Sequence, residues 1–501
     1  MTGLLMIAAI ADLSQFVTYI SAGIRRHFCV TQMPDGGYVC SGNLVSLGYR
    51  FLLCRFDQNG NLMWYYNIRR SSSQSEDNGG QSFTPTYDGG FVVTGITGMS
   101  NLGLAKFTSN GTFSWIKTLD LGGTEWGYSV IQASDNGLVV TGYAGASDDI
   151  LLTKFDASGS HLWTKTIGGS GRDEGRRVIE TSDGGLALVG FTNSWGAGGY
   201  DIILCRLNAT GDTLWTRTLG GSGDDLGYCL VQTTDGGFVI SGYTESFGAT
   251  AGDNILAKFD GSGNYLWTVV FGYGTTLDTA ASVAEGVGGI LGVVSWSTPD
   301  VLSLHIPLTR FDANGNFLSG WRPGSLATAS ESQYSVPGIA RTSDGGFVTT
   351  GVYYLIKYDA SGRTCMGTAV TPNLISPTPT ITSPGPTLTS RTPTIASPNY
   401  TRETPVNTQY WPCNPLWEGE EETDSGPEFY LSARGNTIRF SLPEAMDVQL
   451  SVYDPSGRLV ARPLDGWVDA GEHKVSVEAG EGVRIAVLRY LGGTKTVRIL
   501  N

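Results

Sequence analysis

The sequence predicts an all-β protein whose main body is a seven-bladed β-propeller, and three recurring markers predict it. An Asp-Gly-Gly turn followed by an apolar run stands at Asp35, Asp88, Asp183, Asp235 and Asp344, with degenerate copies at Asp135 before NGLVVTG and at Val287 before GGILGVV. These turns lie 47 to 57 residues apart. A basic residue followed by an aromatic ring or Leu recurs at Arg55, Lys106, Lys154, Arg206, Lys258, Arg310 and Lys357. Tryptophan recurs at Trp64, Trp115, Trp163, Trp215 and Trp267, with Leu318 and Met366 near the slot in the last two copies. Each marker counts seven copies, the signature of a repeat architecture.

Composition agrees. Of 501 residues 70 are Gly, twice the usual share of about 7 percent, alongside 12 Trp, 22 Tyr and 19 Phe. Gly takes positive φ at little cost and aromatic rings suit pleated surfaces, so short strands and tight turns are expected. A net charge of −14 disfavours a basic-patch nucleic-acid binder. No apolar run is long enough for a membrane-spanning helix. Seven scattered Cys form no dense disulfide framework, and without CxxC, HExxH or clustered His no zinc site is expected. Cys29 and Cys40 flank the first turn symmetrically, either facing each other across a hairpin or filling a core as small apolar groups.

In chain order, residues 1–12 hold GLLMIAAIA, whose Ala9-Ile10-Ala11 has the form of a signal cleavage site but lacks a preceding Lys or Arg, so a truncated signal segment is expected. The propeller is expected over 13–370. Its fourth copy shows the unit most plainly: RRVIETS (176–182), the turn Asp183-Gly184-Gly185, LALVGFT, DIILCRL (201–207) and DTLWTRTLG (212–220). Four antiparallel strands cannot bury both faces alone, and stacking about an axis solves this. The repeated Trp is expected to pack between blades. After Asp359 the seventh copy lacks an outer strand, so SQFVTYI (14–20) should close the ring by pairing with the strand holding Leu355 and Tyr358, with Phe16 in the aromatic slot. Residues 371–426, rich in Pro and Thr, predict an unstructured linker with the composition of glycosylated stalks, ending in an acidic hinge at 418–424. Residues 427–501 resume short alternating strands and predict a small Ig-like β-sandwich.

Two resemblances follow from these motifs. The order DGG, K-F-D, G-N-x-x-W and GG over 13–370 resembles the propeller repeats of secreted bacterial and archaeal surface proteins, which implies the fold and assigns no activity. FYLS, TIRFSLPEA, VYDPSGRLV, AGEHKV and the closing KTVRILN resemble the C-terminal sorting domain of type IX secretion substrates, with a plain Ig-like accessory domain as the alternative. The first implies a secreted or cell-surface location; the second implies the secretion machinery as a partner.

Propeller loops from strand four to the next strand one, and from strand two to strand three, share the face where ligands bind. The first kind, GGSGRDEG (168–175) and GGSGDDLG (220–227), carries Asp173, Asp224 and Asp225; the second supplies Asp148, Asp149, Asp201 and Asp253. Such carboxylates suit Ca²⁺ or a cationic or hydroxyl-rich ligand, whereas Asp after Gly also caps turns through its own backbone. The turns beginning at Asp57, Asp260 and Asp312 partly resemble calcium loops but lack the twelfth-position Glu, so hairpin turns are expected. Apart from Ca²⁺ no cofactor is expected, and no catalytic set stands out. The expected function is binding or adhesion to a surface glycan or protein ligand; the alternatives are a structural envelope protein or a polysaccharide-active enzyme.

Overall fold

The computed structural model describes residues 16–19, 24–44, 50–70, 79–97, 101–146, 148–248, 252–273, 278–300, 303–323, 327–328, 337–350, 354–364, 368–385, 387–391, 394–396, 400–403, 409–411, 431–434, 437–442, 446–453, 459–469, 471–476, 484–490 and 493–499. The signal-like residues 3–11, Met366 and the acidic run 418–424 lie outside them. The chain divides into a unit spanning Gln15–Tyr410 and a second containing Trp411–Asn501.

The first unit is a seven-bladed propeller of antiparallel sheets. Seven inner strands (Ile24–Gln32, Gly79–Pro85, Glu125–Gln132, Asp173–Glu180, Asp225–Gln232, Asp278–Glu285 and Ile339–Arg341) touch in succession, and the last touches the first, enclosing an axial channel. In blade 4 the order outward is Asp173–Glu180, Leu186–Thr192, Asp201–Leu207 and Thr213–Gly220. The inner strand starts at Asp173, three residues earlier than the apolar pattern at 176–182 indicates. A β-bulge at Arg176 absorbs one residue and offsets the alternation that sequence reading relies on. The Asp-Gly-Gly turn closes by reciprocal bonds between Thr181 and the two glycines, with Gly184 at φ 80°, which glycine alone adopts cheaply.

Both faces of each blade are buried. Leu186 and Leu188 pack toward Ile150 and Leu152 of blade 3, while Ala187 and Val189 pack toward Phe238 and Ile240 of blade 5. The hydrophobic core is therefore a ring of clusters between blades, each fully buried Leu, Val or Phe contributing about 1.5–3 kcal/mol. The repeated tryptophans sit between blades too. A Cβ on Gly159, Gly211, Gly263 or Gly315, in the next blade's outer turn, would strike Trp115, Trp163, Trp215 or Trp267, and Trp64 meets Phe91 of blade 2 edge-on at 6.1 Å. In each complete blade the Trp lies opposite the repeated basic residue, as Lys154 pairs with Trp163. Blade 6 departs: Ser319, not Leu318, lies opposite Arg310.

Ring closure is as the sequence indicates. Phe16–Tyr19 pairs with Tyr354–Tyr358, and Phe16 lies opposite Lys357, in the register that Trp takes elsewhere. Cys29 and Cys40 do not face each other: Cys29 pairs with Ser41, and Cys40 pairs with Val30 and Cys54, because the turn that sets Gln32 opposite Tyr38 fixes a register in which they are one residue out of step.

The expectation of an unstructured linker over 371–426 is corrected for the strands up to Trp411, and 412–426 lie outside the described residues. Seven short strands, Thr368–Ala369, Asn373–Ile375, Thr380–Thr382, Thr387–Arg391, Thr394–Ala396, Tyr400–Glu403 and Gln409–Trp411, add a further outer strand to blades 6, 5, 4, 3, 2, 1 and 7 in that order. This belt retraces the ring backwards. Its sequence repeats every seven residues (PTPTITS, PGPTLTS, RTPTIAS), one repeat per blade. The apolar residue of each repeat meets the same site: Leu374 opposite Phe271, Ile381 opposite Leu219, Leu388 opposite Ile167 and Ile395 opposite Leu119. Pro377, Pro379 and Pro384 fall between strands, where no ladder donor is needed, so Pro density does not exclude an edge strand this short.

In the second unit, Leu431–Arg434, Thr437–Leu442 and Gly471–Ser476 form one antiparallel sheet. Leu459–Val468, Met446–Tyr453, Arg484–Tyr490 and Gly493–Ile499 form another. Ile438, Phe440, Val448, Leu450 and Val452 are buried.

Candidate binding site at the channel mouth

Hydrogen bonds put the two loop classes on one face. Asp173 N–H donates to Asp148 O, Asn193 N–H to Arg172 O, Asp225 N–H to Tyr200 O and Glu245 N–H to Asp224 O. Each loop entering an inner strand is thus laced to loops of its own blade and of the preceding one.

The seven candidate aspartates lie on this face at different depths. Asp148 is exposed, at φ 56°, and accepts the Tyr143 hydroxyl; Asp149 and Asp224 are half-buried, and Asp224 Oδ1 accepts Tyr200 N–H at 2.9 Å. Asp173, Asp201, Asp225 and Asp253 are buried and begin strands. An accessible ring of all seven carboxylates is therefore not what the fold builds. Asp173 Oδ2 accepts Gly169 N–H and the Ser194 hydroxyl, Asp225 Oδ2 accepts Gly221 N–H and the Ser246 hydroxyl, and Asp201 Oδ2 accepts Ala197 N–H. These bonds fasten loops to blades. Asp201 and Asp225 converge on Gly220, where a Cβ would fall 1.9 Å from one carboxylate and 2.8 Å from the other, so only glycine fits. Burial, with the neighbouring charge of Asp225 adding to it, pushes Asp201 up to about 6. Among the described residues no group of three or more His, Cys, Asp or Glu is arranged to hold a metal. The turns at Asp57, Asp260 and Asp312 are hairpin turns whose carboxylates accept N–H groups two and four residues on.

The inner strand of blade 4 breaks the repeat toward charge. Blades 3 and 5 read EWGYSVIQ and DLGYCLVQ; blade 4 reads DEGRRVIE. Glu174 replaces Trp126 and Leu226, and Arg176 replaces Tyr128 and Tyr228. The Glu174 side chain is 2% exposed, and its carboxylate takes Arg172 at 2.6 Å and Arg176 at 2.7 Å. The Arg176 guanidinium lies 4.0 Å over the Tyr128 ring and 5.0 Å over Phe191; that of Arg172 lies 4.5 Å over Tyr143. Tyr128 in turn stacks on Trp126, with centroids 6.0 Å apart. Burial pushes the Tyr128 hydroxyl up to about 12, against the pull of Arg176. Glu174 thus acts as a clamp that aims two guanidiniums, and the half-exposed Arg172 presents its remaining donors beside aromatic faces. Such a surface suits a planar anionic group with an adjoining apolar or sugar face. Sequence reading passed over these residues because it sought carboxylates in loops; the signal was a copy whose inner-strand positions turn charged where those of blades 3 and 5 are aromatic or apolar.

No family model matches the chain, and no curated protein matches it. Among solved structures it is similar to the crystal structure of a protein of unknown function from Dyadobacter fermentans DSM 18053, at 12% identity and a TM-score of 0.37, covering 60% of this chain and 95% of that one. Among the described residues no helix is long and apolar enough to cross a membrane.

Proposed function

We propose that this protein is a secreted or cell-surface binding module whose propeller recognises a carboxylate-bearing glycan or protein ligand at the blade 3 to blade 5 side of the channel mouth. One observation carries this reading. All seven inner strands meet the same packing demand, yet blade 4 alone among the three clean neighbours places Glu174, Arg176 and Arg172 there, at a desolvation cost that the fold does not ask for. Departures from local consistency of this kind concentrate at functional sites. The C-terminal unit, whose sequence resembles Ig-like sorting domains, serves in this reading as the export address. Binding of the full chain to an array of neutral and uronate- or sialate-bearing glycans tests the proposal. Preference for the acidic glycans, reduced at least tenfold by Arg172→Ala, is expected. Equal retention by the variant, or no discrimination between acidic and neutral glycans, overturns it.

A further inference from the structure

One level of the channel is built from the residue that follows each bulge. Strand register identifies this residue as Cys29, Ser82, Ser129, Arg177, Cys229 and Ser282 in blades 1 to 6. The small members sew blades together: Ser82 Oγ accepts Val130 N–H, Ser129 Oγ accepts Val178 N–H, and the thiols of Cys29 and Cys229 lie against the carbonyls of Phe83 and Val283. In blade 7 Gly338 occupies this level, pressed against the Cys29 backbone. Arg177 is the one large and charged member. Its guanidinium faces Cys229 on the adjacent blade and bonds Cys29 on blade 1. Blades 4 and 1 are not neighbours in the ring, so the side chain crosses the channel.

Arg177 is half-buried, with its Nε shielded from solvent, and a charge drawn partly out of water favours an anionic partner. None is supplied by the carboxylates around it. Glu174 is taken by Arg172 and Arg176, Asp173 bonds Gly169 and Ser194, and Glu180 at the far end of the strand bonds Ser134. Arg177 Nε has no hydrogen-bond partner. Two of the three neighbouring guanidiniums therefore occupy the one carboxylate, and Arg177 is left without one. We infer that the axial channel is an anion-binding site centred on Arg177, which takes a single small anionic group, chloride, phosphate or a ligand-borne carboxylate, between blades 4, 5 and 1. The inference stands apart from the reading of the rim: Arg177 does not share the Glu174 clamp.

The slot itself provides the variant. Arg177→Ser installs the residue that blades 2, 3 and 6 carry and restores the missing stitch to blade 5, so folding is expected to survive; Arg177→Gln, which removes only the charge, serves as a second. The broadening of the chloride-35 resonance by the full-length protein is the readout. Wild type and Arg172→Ala should broaden the line, and both Arg177 variants should lose that excess. Displacement by phosphate alone identifies a free inorganic anion as the occupant. Displacement by glucuronate at far lower concentration identifies a ligand's carboxylate. Equal broadening by wild type and both Arg177 variants, or none by wild type, overturns the inference. Loss of glycan binding in Arg172→Ala with chloride broadening intact separates the fate of the rim from that of the channel.

Discussion

Asp183 and Arg206, the first two markers of the fourth repeat, are joined: both carboxylate oxygens of Asp183 accept from Arg206 Nη2 at 2.6 Å, and Nη1 caps the carbonyls of Leu186 and Leu207. The arginine side chain is 7% exposed and the aspartate 69%. Asp35 with Arg55, Asp88 with Lys106, Asp135 with Lys154, Asp235 with Lys258 and Asp344 with Lys357 repeat the pair. Blade 6 has lost the Asp, and there Arg310 turns instead to Ser361 O in blade 7, at 2.6 Å. The recurring signature is thus a device that, in six blades, pins the turn of the first hairpin to the third strand while neutralising a nearly buried cation.

Asp183→Asn should therefore destabilise the propeller by about 1–2 kcal/mol, the worth of a charge-assisted bond discounted for the exposed carboxylate. A lowered melting temperature with unchanged sheet content by circular dichroism is the expected result; an unchanged melting temperature would show the pair to be ornamental.

Stability should peak near pH 4–5. The Arg55 and Lys154 bonds hold Asp35 and Asp135 below the usual carboxylate range. Asp88 and Asp235 sit at about 2, where bonds to Lys106 and Thr86, and to Lys258 and Thr233, together outweigh burial, the largest single influence. A lowered folded pKa contributes stability that is present above the unfolded value near 4 and lost as pH falls toward 2. Asp201, raised to about 6 by burial, and Asp173 and Asp225, raised for the same reason, act oppositely. Their contribution is complete below about pH 4 and declines as pH rises toward about 6. In a melting series from pH 2 to 8, Asp201→Asn should flatten the upper limb and leave the lower one intact. A maximum at pH 7 or above would contradict the assignment.

The belt should resist proteases. Native protein is expected to survive brief digestion without cleavage inside 373–391, because the strands Asn373–Ile375, Thr380–Thr382 and Thr387–Arg391 are paired to blades 5, 4 and 3 and leave only short connections between them. Leu388→Pro, which removes a backbone donor opposite Ile167, should create a new early cut there. First cleavage of wild type within 373–391 would refute the paired belt.

Replacing Phe16–Tyr19 by Gly-Ser-Gly-Ser should open the ring. That strand lies between Tyr354–Tyr358 and the belt strand Gln409–Trp411. Its loss exposes unpaired backbone on an edge, a template for association. Size-exclusion chromatography should show oligomers or aggregates; a monomer with unaltered melting would speak against closure by this strand.

The number of blades, the turns and the closing strand were legible in the sequence because each rests on local chemistry repeated at a fixed interval: a Gly that must take positive φ, an Asp within reach of a Lys or Arg, an aromatic opposite that base. Counting back from Asp35 by the repeat's Trp-to-Asp interval lands on Gln15, one residue short of Phe16. What the tertiary structure decided is what depends on neighbours distant in the chain. The belt's prolines read as disorder until the outer edges of seven blades stand ready to pair with the short runs between them. Asp173, Asp201 and Asp225, sought as ligands, turn inward to bond loop backbone, a direction set by the strand starts. Arg176 and Arg177 meet Tyr128, Tyr228, Cys229 and Cys29 only because a bulge redirects their side chains and the closed ring brings blades 3, 5 and 1 around the same axis. Periodicity specifies the repeat, but side-chain direction at a bulge and contact across a channel follow from closure, which no single repeat encodes.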